Sequence, residues 1–218
     1  MYARSPGPEA IHPRRPVRQT EFAGSQRGAI RKPSTLRMVN FAAMTDSPTR
    51  FDLRCALPED VPQLLKLIHG LAEYEQLTHL FECTDERLNS ALFGESPTAH
   101  AVIAWTRSQT APVAAGFALY FHNFSTFLGR KGLYLEDLYV LPEYRGQGCG
   151  RALLVRLARI ARDEGCGRFE WSVLDWNVGA QRFYERLGAT ILPDWRIVRV
   201  SGSSLVRLAQ EPLEIVNR

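Results

Sequence analysis

The stretch LYVLPEYRGQGCGRALLVRLARIA, residues 138–161, decides how the rest of the chain is read. An apolar strand-like run ends at Leu141-Pro142. Glycines then alternate at 146, 148 and 150, and a helix-period run begins. Glycine is costly at a helix start because it loses the most backbone freedom on folding. Bare backbone there implies that something must come close. The first turn of a helix presents unpaired N–H groups and the positive end of the helix dipole, which together hold an anion. The loop lacks the Gly-Lys-Ser/Thr of a P-loop. It is also not the GxGxxG of a dinucleotide fold, which follows a first strand rather than a late one. The alternative is a plain tight turn.

Working outward, residues 50–57 alternate and read as a strand. Residues 58–77 read as a helix with Val61, Leu64, Leu65, Ile68, Leu71 and Ala72 on one stripe, and Pro58 and Asp60 suit its first turn. Residues 84–93 form a second helix capped by Thr84. Strands follow at 99–105, 111–121 and 132–141. The second is apolar enough to be central. The third carries two acids, Glu136 and Asp137, where a core strand should have none. A helix at 149–165 turns Leu153, Leu157, Ile160 and Ala161 inward and stops at Gly165. Then come a strand at 168–175, a helix at 177–188 capped by Asn177, and a closing hairpin from residues 195–202 and 204–210. Strands and helices mixed in one domain imply an α/β sandwich.

Charge is uneven. Residues 1–47 hold eight basic and three acidic side chains, about +5, so the remainder of this +4 chain is close to neutral. That basic, Pro- and Ser-rich segment has no apolar period and is expected to be a disordered leader ahead of a domain at 48–218. An equal alternative is that Met44 is the true start. A dispersed leader with little aromatic interleaving does not argue for nucleic acid. The four cysteines form no CxxC and no histidine pair has zinc spacing. Reduced thiols in a cytoplasmic protein and no metal are therefore expected. No run reaches the roughly 20 apolar residues of a membrane helix.

The hexapeptide Arg145-Gly146-Gln147-Gly148-Cys149-Gly150 resembles the acetyl-CoA pyrophosphate loop of the GNAT N-acetyltransferases. LAEYE at 71–75, LYLED at 133–137, and DWN at 175–177 followed by RFYERLGA at 182–189 extend the resemblance over residues 51–210, toward the spermidine/spermine N-acetyltransferase branch. The resemblance implies a mixed, mostly antiparallel sheet flanked by helices and splayed at the cofactor strand. It implies that amides of Gly146, Gln147, Gly148, Cys149, Gly150 and Arg151 hold the coenzyme A diphosphate, with Arg145 beside them. Leu138, Tyr139 and Val140 would pair with the pantetheine arm as an added strand does, and Asn177 and Ala180 would touch it. Acetyl transfer to an amine requires the ammonium to lose a proton and the thiolate to gain one. Tyr184 is the implied acid. Glu136 is the candidate base and ammonium anchor. Asp137, next to it, faces the other side unless a strand bulge intervenes. Tyr74, Glu75, Glu170, Trp171 and Ser172 complete the implied amine site. The family mechanism needs no cysteine nucleophile, so Cys149 is read first as a small residue facing the cofactor; the alternative is a thiol at a helix N-terminus, where its pKa can fall.

The chain departs from the branch in two places. The connection 190–196 is short and carries one acid, Asp194. Leu187 stands where a basic residue precedes the glycine of RLGA. Both bear on the substrate more than on the reaction. A small polyamine, a diamine or a thialysine-like amino acid is expected, with a homodimer implied by the resemblance. The competing readings are a GNAT acting on a peptide N-terminus or protein lysine, and a non-catalytic coenzyme A-binding module.

Overall fold

The computed structural model describes residues 50–108 and 111–212, all within the unit Asp46–Arg218. The expected leader at 1–47 lies outside the described residues. Five strands form one sheet in the order β1 (Phe51–Cys55), β2 (His100–Thr106), β3 (Ala114–Ser125), β4 (Arg130–Val140) and β5 (Phe169–Trp171). The first four are antiparallel neighbours, and β5 runs parallel to β4. The apolar β3 is central, as its composition implies.

Two cores lie on opposite faces of the sheet. On one, α3 (Cys149–Asp163) buries Cys149, Leu153, Leu154, Leu157 and Ala161 against Val102, Ala118, Leu133 and Leu135. Phe183 and Tyr184 of α4 (Val178–Arg186) pack at its margin. On the other, α1 (Val61–Tyr74) and α2 (Asp85–Phe93) cover Ile103, Phe117 and Tyr139. The buried stripe of α1 is Val61, Leu64, Leu67 and Leu71. Leu67 belongs to it and was not in the expected set, while Leu65 and Ile68 sit at its edge. Thr84 caps α2 by accepting a bond from the Arg87 amide, and a Pro58–Asp60 3-10 turn leads into α1.

Two expectations fail. The strand at 168–175 shrinks to Phe169–Trp171. The closing hairpin does not form: residues 195–200 pair with no strand, and Gly202–Ala209 is a helix, α5. A short apolar run cannot be typed by period alone. Leu205, Val206 and Leu208 satisfy a helical stripe as well as an alternating one.

Candidate active site

The site is built where β4 and β5 part. Their pairing covers Leu133–Leu135 against Phe169–Trp171, but β4 runs on to Val140. Backbone groups alternate between the two edges of a strand, so the edge of β4 that β5 leaves uncovered presents Leu138 and the Val140 amide, while Tyr139 pairs with Phe117 of β3. A hydrogen bond between Tyr134 Oη and Ser172 Oγ, 2.8 Å long, ties β4 to the residue just after β5.

A bulge reverses the facing of β4 at this point. Tyr120 pairs with Leu135 and Leu119 with Asp137, so Glu136 is the extra residue. Strict alternation from Leu133 and Leu135 would drive Asp137 into the α3 core. With one residue inserted, Leu138 and Val140 take that face instead, and Asp137 joins Tyr139 on the α1 side. The Asp137 carboxyl is half-buried. Desolvation first, then the neighbouring Glu136 and Glu75, push its pKa up to about 6. Burial also raises Glu75, at the end of α1. Glu136 itself is exposed.

Helix α1 can reach this point because Gly70 lies against Tyr139. A Cβ there would stand 3.1 Å from the tyrosine oxygen. Its C-terminal end brings Tyr74 and Glu75 over β4. Tyr74 lies between two partners: the Arg145 guanidinium, 4.6 Å from its ring centre, and Trp176, 5.9 Å away. Arg145 also gives its Nε–H to the Val140 carbonyl at 3.0 Å. Its charge is thus held over the rings of Tyr74 and Tyr139 rather than inside the glycine loop. The sequence marks Trp176 only as part of DWN. Its contact with Tyr74, a hundred residues earlier, has no local signature.

Tyr184 enters from α4 on the other side of the opening. Its ring meets Trp171 edge-on at 5.1 Å. Burial and then the charge of Glu75 raise its hydroxyl pKa to about 12. Asn177 caps α4, its Oδ1 accepting from the Ala180 amide at 3.2 Å. Gln181 holds the preceding loop by donating to the carbonyls of Leu174 and Asp175.

The glycine loop has the geometry an anion needs. Gly146 and Gly148 have φ of 71° and 87°, and open space surrounds both. Conformation, not crowding, demands glycine there. Amides from Gly146 to Arg151 find no protein acceptor among the described residues, and the first helical bond runs from Ala152 to Gly148. Gln147 braces the loop through Glu143 O at 2.8 Å. Loop and uncovered edge together fit a diphosphate joined to an amide-bearing arm, which is the chemistry of coenzyme A.

The structure bears on two further residues. Cys149 is not a thiol poised at a helix start: its side chain is buried in the core, and burial pushes its pKa up to about 12. Only its amide is available to a ligand. Glu170 is already paired within the protein: its Oε2 lies 2.8 Å from Arg168 Nε and accepts from Asn123 at 3.1 Å. Trp171 packs against Tyr184, and Ser172 bonds to Tyr134.

Comparison with known proteins agrees with this geometry. Residues 66–189 match the Acetyltransferase (GNAT) family. The chain is 39% identical over 164 residues to the thialysine N-epsilon-acetyltransferase of Bos taurus, covering 72% of this chain and 96% of the relative. It is 34% identical over 194 residues to the L-ornithine N5-acetyltransferase of Arabidopsis thaliana, covering 70% and 85%. Among solved structures, a Vibrio cholerae integron cassette protein shares the fold with a TM-score of 0.63 at 24% identity, over 75% of this chain and all of the other. The splayed sheet, the loop at α3 and these similarities together make the chain an acetyltransferase of the GNAT family, whose members use acetyl-CoA.

Proposed function

We propose that the protein transfers the acetyl group of acetyl-CoA to a primary amine of a small diamine, polyamine or thialysine-like amino acid. The observation that carries this reading is the convergence of Glu75, Asp137 and Tyr184 on the opening beside β4, each with a pKa raised by burial. Two carboxyls with an aromatic wall from Tyr74 and Trp176 suit a compact cation. Relatives that act on thialysine and L-ornithine support the same class.

Bound acetyl-CoA supplies the thioester. Amides of Gly146–Arg151 hold its diphosphate, and the uncovered β4 edge orients its arm. Glu136 at the exposed rim attracts the ammonium. The sequence alone favours Glu136 as base, but the bulge favours Asp137 for that role. A half-buried carboxyl with a pKa of about 6 is ionised at neutral pH and basic enough to accept a proton. Tyr184, still protonated at neutral pH, is the donor to the departing sulfur. The protein is further proposed to act as a cytoplasmic homodimer. In support of the homodimer, the apolar surface at 191–208 is suited to a second copy.

The test is free-thiol release from acetyl-CoA by the full chain, across thialysine, ornithine, putrescine, spermidine, an aminoglycoside and a short peptide. Release with a small diamine or amino acid supports the reading. Release with the peptide alone moves the activity to protein substrates, and silence across the panel with acetyl-CoA still bound points to a binding module.

A further inference from the structure

We infer that His122, Glu164 and Cys166 form a binding site for a divalent cation of the zinc type, at the end of α3 remote from the glycine loop. Their ligand atoms lie within 4.8 Å of one another. Imidazole, carboxylate and thiolate are the donor set of zinc. The site is preorganised by backbone. Glu164 ends α3, Gly165 follows with φ of 71°, and the amides of Gly165 and Cys166 return to Arg162 O and Ala161 O at 3.0 and 2.8 Å. This is a Schellman closure, which fixes the two C-terminal donors relative to each other. The third donor comes from the sheet. His122 Nε2 is shielded from solvent and lies 2.8 Å from Glu164 Oε2, yet makes no aligned hydrogen bond. The imidazole nitrogen is thus already shielded and already beside a second donor atom of the cluster, which is the arrangement a metal ion would take over.

A tetrahedral zinc ion spreads its ligands to roughly 3.3–3.7 Å apart. The carboxylate must therefore back away slightly from the imidazole, and the sulfur must swing inward. The local competitor is Lys131, whose Nζ sits 2.6 Å from the same Glu164 oxygen. That pair is part-exposed and screened by solvent, so it yields readily. A fourth coordination position remains for water. Sequence spacing conceals the site, because Glu-x-Cys is joined by a histidine 42 residues earlier. The 15 residues of α3 separate it from the glycine loop by about 22 Å, so an ion here braces α3 against β3 and takes no part in acetyl transfer.

Cobalt(II) titration of the untagged full chain tests this. One equivalent should produce a thiolate-to-cobalt charge-transfer band that excess zinc removes. The band should persist in Cys55→Ser and Cys83→Ser and vanish in Cys166→Ser. His122→Asn, which leaves the sulfur in place, should weaken binding at least tenfold, and Lys131→Ala should strengthen it severalfold. Absence of the band, its survival in Cys166→Ser, or unchanged affinity in His122→Asn overturns the inference.

Discussion

At the scale of single residues, the chemistry turns on which proton sits where. Tyr184, raised to about 12, keeps its proton across any ordinary assay range. Tyr184→Phe should cut kcat on the order of 10²-fold while acetyl-CoA affinity changes by less than about threefold. Equal loss of both, in turnover and equilibrium binding assays, would make the residue structural. Asp137 should give kcat/KM a rising limb near pH 6, carried by a cluster of interacting carboxyls. Asp137→Asn should remove that limb and Glu136→Gln should keep it; the pH profiles of both variants decide. The same shift has a stability cost. A carboxyl raised in the folded state favours folding while it is protonated in both states, and that advantage is lost as pH rises through about 6. Asp137→Asn should therefore be the more stable protein at pH 7.5, by up to about 3 kcal/mol. The gap should close toward pH 4, as measured by denaturant unfolding at both values.

At the scale of elements, Gly148 and Gly150 answer to two different requirements. Gly148, at φ of 87°, occupies backbone space where a Cβ costs about 1–2 kcal/mol. Gly148→Ala should weaken acetyl-CoA binding and lower stability by that amount, with little effect on the amine KM. Gly150 lies inside α3, where an added Cβ meets Val140 and Phe183 at 3.7 and 3.8 Å, ordinary contact distances. Gly150→Ala should be tolerated and should stabilise by up to about 1 kcal/mol through helix propensity. Calorimetry on the two variants separates a turn requirement from a helix one. The bulge in β4 is the other decisive element. One inserted residue changes the destination of Asp137 without changing any side chain.

At the scale of the molecule, the segment after α4 stands apart from the rest. Trp195, Ile197 and Val198 are 75%, 72% and 89% exposed, and α5 buries none of its residues. Monomeric proteins rarely leave so contiguous an apolar surface open. If a second copy covers it, Val198→Asp should shift the sedimentation of the full chain from dimer to monomer. An unchanged coefficient would remove this segment from the interface.

Read alone, the amino-acid order determined the local matters. Thr84 and Asn177 as caps, Gly165 as the stop of α3 and the glycines of the anion loop depend on contacts within a few residues. So do the periods that type the long helices and the four long strands. The family resemblance rests on the same local runs, and it supplied Tyr184, Tyr74 and Glu75 as candidates. The tertiary structure decided what depends on distant partners. It turned Asp137 toward Glu75, paired Glu170 with Arg168, sank the Cys149 thiol into the core and brought His122 to Cys166. It also left residues 195–200 without a strand partner. The physical reason is common to all of these. A side chain's burial and charge environment is set by what packs against it from elsewhere in the chain, and hydrophobic period specifies a face but not its occupant.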